Sequence, residues 1–164
     1  MKLIAVLLLA GVSLCIGVVR SSALHARCTA LESFSRLVSR CTGTLQYLSP
    51  ELIPLLRDVG DVGALNNFVS RCLELCTDCD FHTAWHRALT ALPIQLTARD
   101  RTVIDEFGQG LGKSHLSAQL DHCSRFAELC REQLSAAKSD AVRLSSLYVY
   151  LGAAGGIAAA IMLL

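Results

Sequence analysis

Five side chains able to ligate a metal fall between positions 72 and 86: Cys72, Cys76, Cys79, His82 and His86. Zinc takes sulfur and imidazole in such mixtures. Gaps of four and three positions return to the same side of a helix, so the three thiols share one helical face. Asp80 is a helix-capping residue in the middle of the set, and a break there lets His82 and His86 point elsewhere. The residues are candidates for zinc binding or thiol redox sensing. Against that stands a plain reading in which the cysteines line a core and the histidines a surface.

A second stretch, Gly108-Gln-Gly-Leu-Gly-Lys-Ser114, ends like a phosphate-binding loop. The spacing fails, because the motif's first glycine would have to stand where Phe107 does. The loop should also follow an apolar strand, whereas Val103 to Phe107 has the pattern of an amphipathic helix. A glycine turn between helices, using the left-handed backbone that glycine tolerates, is the expectation. His25, His115 and His122 lack a carboxylate or thiol at a telling spacing and are expected in solvent. Nothing is spaced as a nucleophile and its base, so the chain is read as a non-enzyme with no cofactor.

Helical periodicity dominates the elements that must position these residues. Leu24, Cys28, Leu31, Phe34, Val38, Cys41, Leu45 and Leu48 recur every three or four positions. Ser49-Pro50 suits the start of a short helix from Glu51 to Arg57, with serine as cap and proline in the first turn. After the loop Asp58 to Gly63, a third helix runs from Ala64, and a fourth, capped by Asp78 or Asp80, carries Trp85 and ends near Pro93. Thr97 with Asp100 resembles a capping box for a fifth. From Ser114 the positions Leu116, Leu120, Cys123, Ala127, Cys130, Leu134, Ala137, Ala141 and Leu144 alternate gaps of four and three, a heptad seam.

Uncharged apolar runs close the chain at both ends, Leu3 to Val19 and Leu147 to Leu164. Each is near the lower length at which a helix crosses a bilayer. Tyr148 and Tyr150 stand where the second run would enter the lipid, and Gly152 with Gly156 forms a G-x-x-x-G on which another helix could pack closely. The expected organisation is a transmembrane helix over 1–19, a soluble helical bundle over 20–146 and a transmembrane helix over 147–164. Arg20, Arg27, Arg36, Arg131, Lys138 and Arg143 flank the central segment, against Lys2 and the amino terminus beyond it, which puts the bundle in the cytoplasm. A rival remains open: Lys2, a short apolar core and Ser21-Ser22-Ala23 also resemble a secretory leader, which would make the domain exported and disulfide-stapled.

The segment 20–146 holds 14 of the 15 basic residues and all 14 acidic ones. That balance leaves no basic field for nucleic acid. Under the cytoplasmic reading the eight cysteines are reduced. Cys28, Cys41, Cys123 and Cys130 then act as small apolar core residues.

Phe107-Gly108-x-x-Leu111-Gly112, followed by Gln119 and a long helix into a glycine- and leucine-rich terminal span, resembles the stage III sporulation protein AB family. Met1-Lys-Leu-Ile, Leu45-Gln-Tyr-Leu-Ser-Pro50 and Ala84-Trp85-x-x-Ala88-Leu89 extend the likeness over essentially the whole chain. The resemblance implies an all-α antiparallel bundle flanked by two transmembrane helices, similar to the cytoplasmic domain of type II secretion platform proteins. It also implies a structural platform in the channel complex between mother cell and forespore. The protein would sit in the mother-cell membrane facing the forespore, among membrane lipid. It would dock a secretion-type ATPase and other channel subunits, self-association being one further contact open to it. The alternative, from the residues alone, is a metal- or redox-sensing membrane protein using Cys72 to His86.

Overall fold

Leucine and alanine at helical spacing, with few β-branched runs, dictate helix, and every regular element among the described residues is helical. The computed structural model describes residues 2–48, 52–58 and 61–163, and the backbone alone for 2–10, 14, 47–48, 52, 58, 156 and 159–163. The elements are α1 (Lys2–Leu48), α2 (Leu52–Asp58), a 3-10 turn (Gly63–Leu65), α3 (Asn66–Leu75), α4 (Phe81–Thr90), α5 (Ala98–Gly110) and α6 (Leu116–Leu163). The expected Ser49-Pro50 cap of α2 lies outside the described residues.

Local chemistry sets the boundaries of the short helices. Asp80, in extended conformation, accepts from Thr83 N at 3.0 Å and starts α4. Thr97 and Asp100 form a complete reciprocal capping box: Asp100 N donates to Thr97 Oγ1 (3.2 Å) and Thr97 N to Asp100 Oδ2 (2.9 Å). After α5, Leu111 turns extended and Gly112 takes φ 78°. A side chain there forces a left-handed backbone that only glycine adopts without strain, so Gly112→Val is expected to cost about 1–3 kcal/mol. Unchanged thermal unfolding of that variant would remove the turn assignment. The last helix opens at Leu116 rather than Ser114, because Gln119 N bonds to His115 O (2.9 Å) while the Gln119 amide closes onto Ser114 O (2.8 Å).

Two compact units emerge, Met1–Cys28 with Ala136–Leu164, and Thr29–Ser135; α1 and α6 contribute to both. In the first, Ser13 Oγ donates to Gly152 O (2.8 Å), the Ser21 and Ser145 hydroxyls meet at 2.6 Å, and the Arg27 guanidinium pairs with Asp140 (3.0 Å). Partner numbers fall as the first number rises, so the two helix segments run antiparallel. Gly17 makes the close approach possible, since a Cβ there would lie 2.6 Å from Tyr148 O. Of the G-x-x-x-G pair, Gly152 receives the serine hydroxyl at its carbonyl; the side of Gly156 lies outside the described residues. Among the described residues no helix is long and apolar enough to cross a membrane. Much of the two apolar runs, residues 3–10, 14, 156 and 159–164, falls outside the described side chains.

In the second unit the helical stripe of α1 is buried as its spacing requires: Leu31, Phe34, Val38, Cys41 and Leu45 are at most 3 % exposed. Cys123, Phe126 and Cys130 of α6 join the same core, together with faces of α2 to α5. Leu116, the first residue of the expected seam, is 40 % exposed and does not take part. Burial pushes the Cys41 and Cys130 thiols up to about 12 and raises that of Cys123, so these core cysteines are protonated at neutral pH. Among the described residues no two cysteines are joined in a disulfide.

Candidate functional site

Two places gather the residues with distinctive chemistry, the glycine turn at the end of α5 and the corner between α3 and α4. At the turn, the indole of Trp85 is fully buried and its Nε1–H donates to Ile104 O at 2.9 Å. Phe68 meets it edge-on at 4.7 Å, with Phe81 and Phe107 at 5.8 and 6.0 Å. Phe107 in turn touches Phe34 of α1 (5.4 Å, edge-on), Phe126 of α6 (5.8 Å) and the stacked ring of His122 (5.6 Å). An aromatic knot therefore ties α1, α3, α4, α5 and α6 together.

The glycines exist to let these rings in. A Cβ on Gly108 would fall on the Trp85 indole, and one on Gly110 would fall on the His122 imidazole. The last carbonyls of a helix lack helical partners. Those of α5 are met from both sides, Phe107 O by His122 Nε2 (3.0 Å) and Gly108 O by His82 Nδ1 (3.1 Å). His122 is thus not a solvated surface residue, as its isolated position in the sequence implied. It is half-buried between Phe107 and Phe126, because the turn folds α6 back over α5.

At the other corner, Cys72 is buried and Cys76 and Cys79 are half-buried. The histidines do not join them. The Asp80 cap restarts the chain, so α4 presents His82 to Gly108 O and His86 to the Asp105 carboxylate (3.0 Å), both on α5. Among the described residues no three His, Cys, Asp or Glu side chains are arranged to hold a metal ion. The five-residue zinc arrangement open to the sequence is therefore not assembled.

Surface grooves flank the α4–α5 pair. One of about 200 Å³ is lined by His86, Leu89, Thr90, Arg101, Thr102 and Asp105, and another of about 370 Å³ by His82, Thr83, His86, Arg87 and Gln109. Their hydroxyls are committed: Thr83 to Asp80, Thr90 to His86 O and Thr102 to Ala98 O. Arg101 donates to Leu89 O and Ile94 O, satisfying carbonyls around the end of α4. A third groove of about 360 Å³, between α2 and α3, includes Asp61, whose carboxyl is held below the usual range by Gly63 N–H and the Asn66 amide. None of these hydroxyls is aimed at His86 as a nucleophile.

The model of the family described as stage III sporulation protein AB matches residues 2–164. The chain belongs to the stage III sporulation protein AB family. No curated protein and no solved structure matches it. The residues that carry the family resemblance, Trp85, Phe107, Gly108, Leu111, Gly112 and Gln119, converge on the glycine turn. Trp85 and Phe107 fill the knot, Gly108 makes room for it, Leu111 is fully buried, and Gly112 and Gln119 close the turn. In this sporulation protein the motif is a folding device.

One further contact had no signal in the sequence. Asp100, fully buried, receives Gln133 of α6: oriented to satisfy both neighbours, the Gln133 amide donates to Asp100 Oδ1 (3.2 Å) and accepts from Arg99 Nε (3.0 Å). The start of α5 is thereby keyed to α6 by one hydrogen bond to the buried Asp100 and one from Arg99. Thirty-three positions separate the partners, and no periodicity joins them.

Proposed function

We propose that this chain is a membrane-anchored platform of the channel complex between mother cell and forespore, docking a secretion-type ATPase and the other channel subunits. ATP hydrolysis belongs to the partner, and this chain is not an enzyme. The family match over residues 2–164 carries the reading. Two features support it. The apolar ends are helical, and several of their described side chains point outward: Val12, Ile16, Val18, Val19, Tyr150, Leu151 and Ile157 are each more than half exposed. Between them the helices meet through Ser13, Gly17, Ser21 and Gly152, the small and hydroxyl-bearing residues favoured where helices associate in lipid.

The platform reading places the protein in the mother-cell membrane facing the forespore, with the bundle in the cytoplasm, and gives that bundle the likeness to type II secretion platform domains. Full-length protein in detergent is expected to retain the complex's ATPase on a pull-down and to release it when the same protein, untagged and in excess, is added as competitor. Failure of full-length protein to bind the ATPase, both in detergent and in reconstituted vesicles, would overturn the platform role.

A further inference from the structure

Three thiols that neither the aromatic knot nor the helix caps employ stand at the end of α3. Helical hydrogen bonding continues past Leu75, with Cys76 N donating to Cys72 O and Cys79 N to Leu75 O at 3.0 Å each. On that path the gaps of four and three place Cys72, Cys76 and Cys79 in one stripe. The stripe runs from a buried thiol to two half-buried ones, so it is reachable from solvent at its Cys76 and Cys79 end. Cys79 Sγ donates to Leu75 O at 3.2 Å. Burial pushes the Cys72 thiol up to about 12 and also raises that of Cys76.

Geometry disfavours two other uses of this pair. Tetrahedral zinc needs four ligands, and His82 and His86 are turned onto α5. A disulfide needs Cβ atoms about 3.8 Å apart, whereas helical i, i+4 partners stand about 5–6 Å apart at Cβ, so closure would break the last turn of α3. A two-coordinate cation asks for less. With metal–sulfur bonds of about 2.3 Å, a linear unit bridges sulfurs more than 4 Å apart, a spacing that successive helical turns offer. Soft, low-coordinate ions such as copper(I) are the ones thiolates select.

We propose that Cys72 and Cys76 form a binding site for a soft monovalent cation of the copper(I) class, with Cys79 at the solvent side as the sulfur that first meets the ion. Binding displaces the two thiol protons to solvent and forms two metal–sulfur bonds; no electron is transferred and the copper stays monovalent. The bound ion links two successive turns at the end of α3.

The test titrates copper(I) into reduced full-length protein under nitrogen, against a chromogenic copper(I) chelator, and then alkylates the free thiols for peptide mass spectrometry. One equivalent is expected to resist the chelator, and Cys72 and Cys76 are expected to be protected from alkylation. Affinity should fall at least tenfold in Cys76→Ser and be unchanged in Cys15→Ser. Uptake that Cys76→Ser leaves intact, protection spread evenly over all thiols, equal retention of zinc(II), or no retained copper would each overturn the site. So would a Cys72–Cys76 disulfide formed with oxidised glutathione while copper(I) is refused. Should Cys76→Ser lose its helical circular dichroism, the protection pattern of the unaltered protein decides.

Discussion

Trp85→Ala is expected to lower stability by about 3–5 kcal/mol, the range for deleting a large buried aromatic side chain. In a protein of this length that corresponds to a fall of about 6–20 °C in the thermal midpoint. The magnitude follows from position. The indole is fully buried, contacts three aromatic rings on α3, α4 and α5, and supplies a hydrogen bond to Ile104 O. Trp85→Phe retains most of the apolar contact but drops the donor, so it should fall between the two. Circular dichroism melts of the full-length protein in detergent measure both, and a midpoint for Trp85→Ala within a degree of the unaltered protein would mean that the knot does not organise the bundle.

Gly108→Ala is expected to destabilise by about 1–3 kcal/mol through overpacking, although the same change in an open helix stabilises by up to about 1 kcal/mol. The reversal of sign has one cause. The added methyl would land on the indole ring of Trp85, and that ring, held between Phe68, Phe81 and Phe107, has nowhere to retreat. Gly43 on α1 provides the internal comparison, because nothing lies within 4 Å of its would-be Cβ. Gly43→Ala should therefore raise the midpoint while Gly108→Ala lowers it. If both variants rise together, the close approach of Trp85 to the α5 backbone is wrong.

Helices and their limits were legible because they depend on neighbours a few positions away. The stripe Leu31 to Leu45, the Asp80 cap, the Thr97–Asp100 box and the break at Gly112 are all short-range patterns, and each is present. The thiol stripe Cys72, Cys76 and Cys79 was legible for the same reason. His82 and His86 were not, since their directions depend on which helix packs beside α4. His122 looked solvent-facing because its partner, Phe107 O, is 15 positions away and is reached only when α6 folds back. The start of α6 shifted by two residues because Gln119 competes for the turn's carbonyls with both its backbone and its side chain.

The glycine-rich segment marks the division most clearly. Sequence pattern alone determined that Gly108 to Ser114 ends one helix, leads into another and lacks the spacing of a phosphate loop, because backbone conformation and ligand spacing are local properties. Membership of the sporulation family likewise rested on the linear order of Trp85, Phe107, Gly108, Leu111, Gly112 and Gln119. Only the tertiary structure decided why those residue types are required, since an indole against Gly108, an imidazole against Gly110 and an amide from α6 on Asp100 are contacts between distant segments. Close packing depends on what approaches from outside the helix, and no period along the chain encodes that.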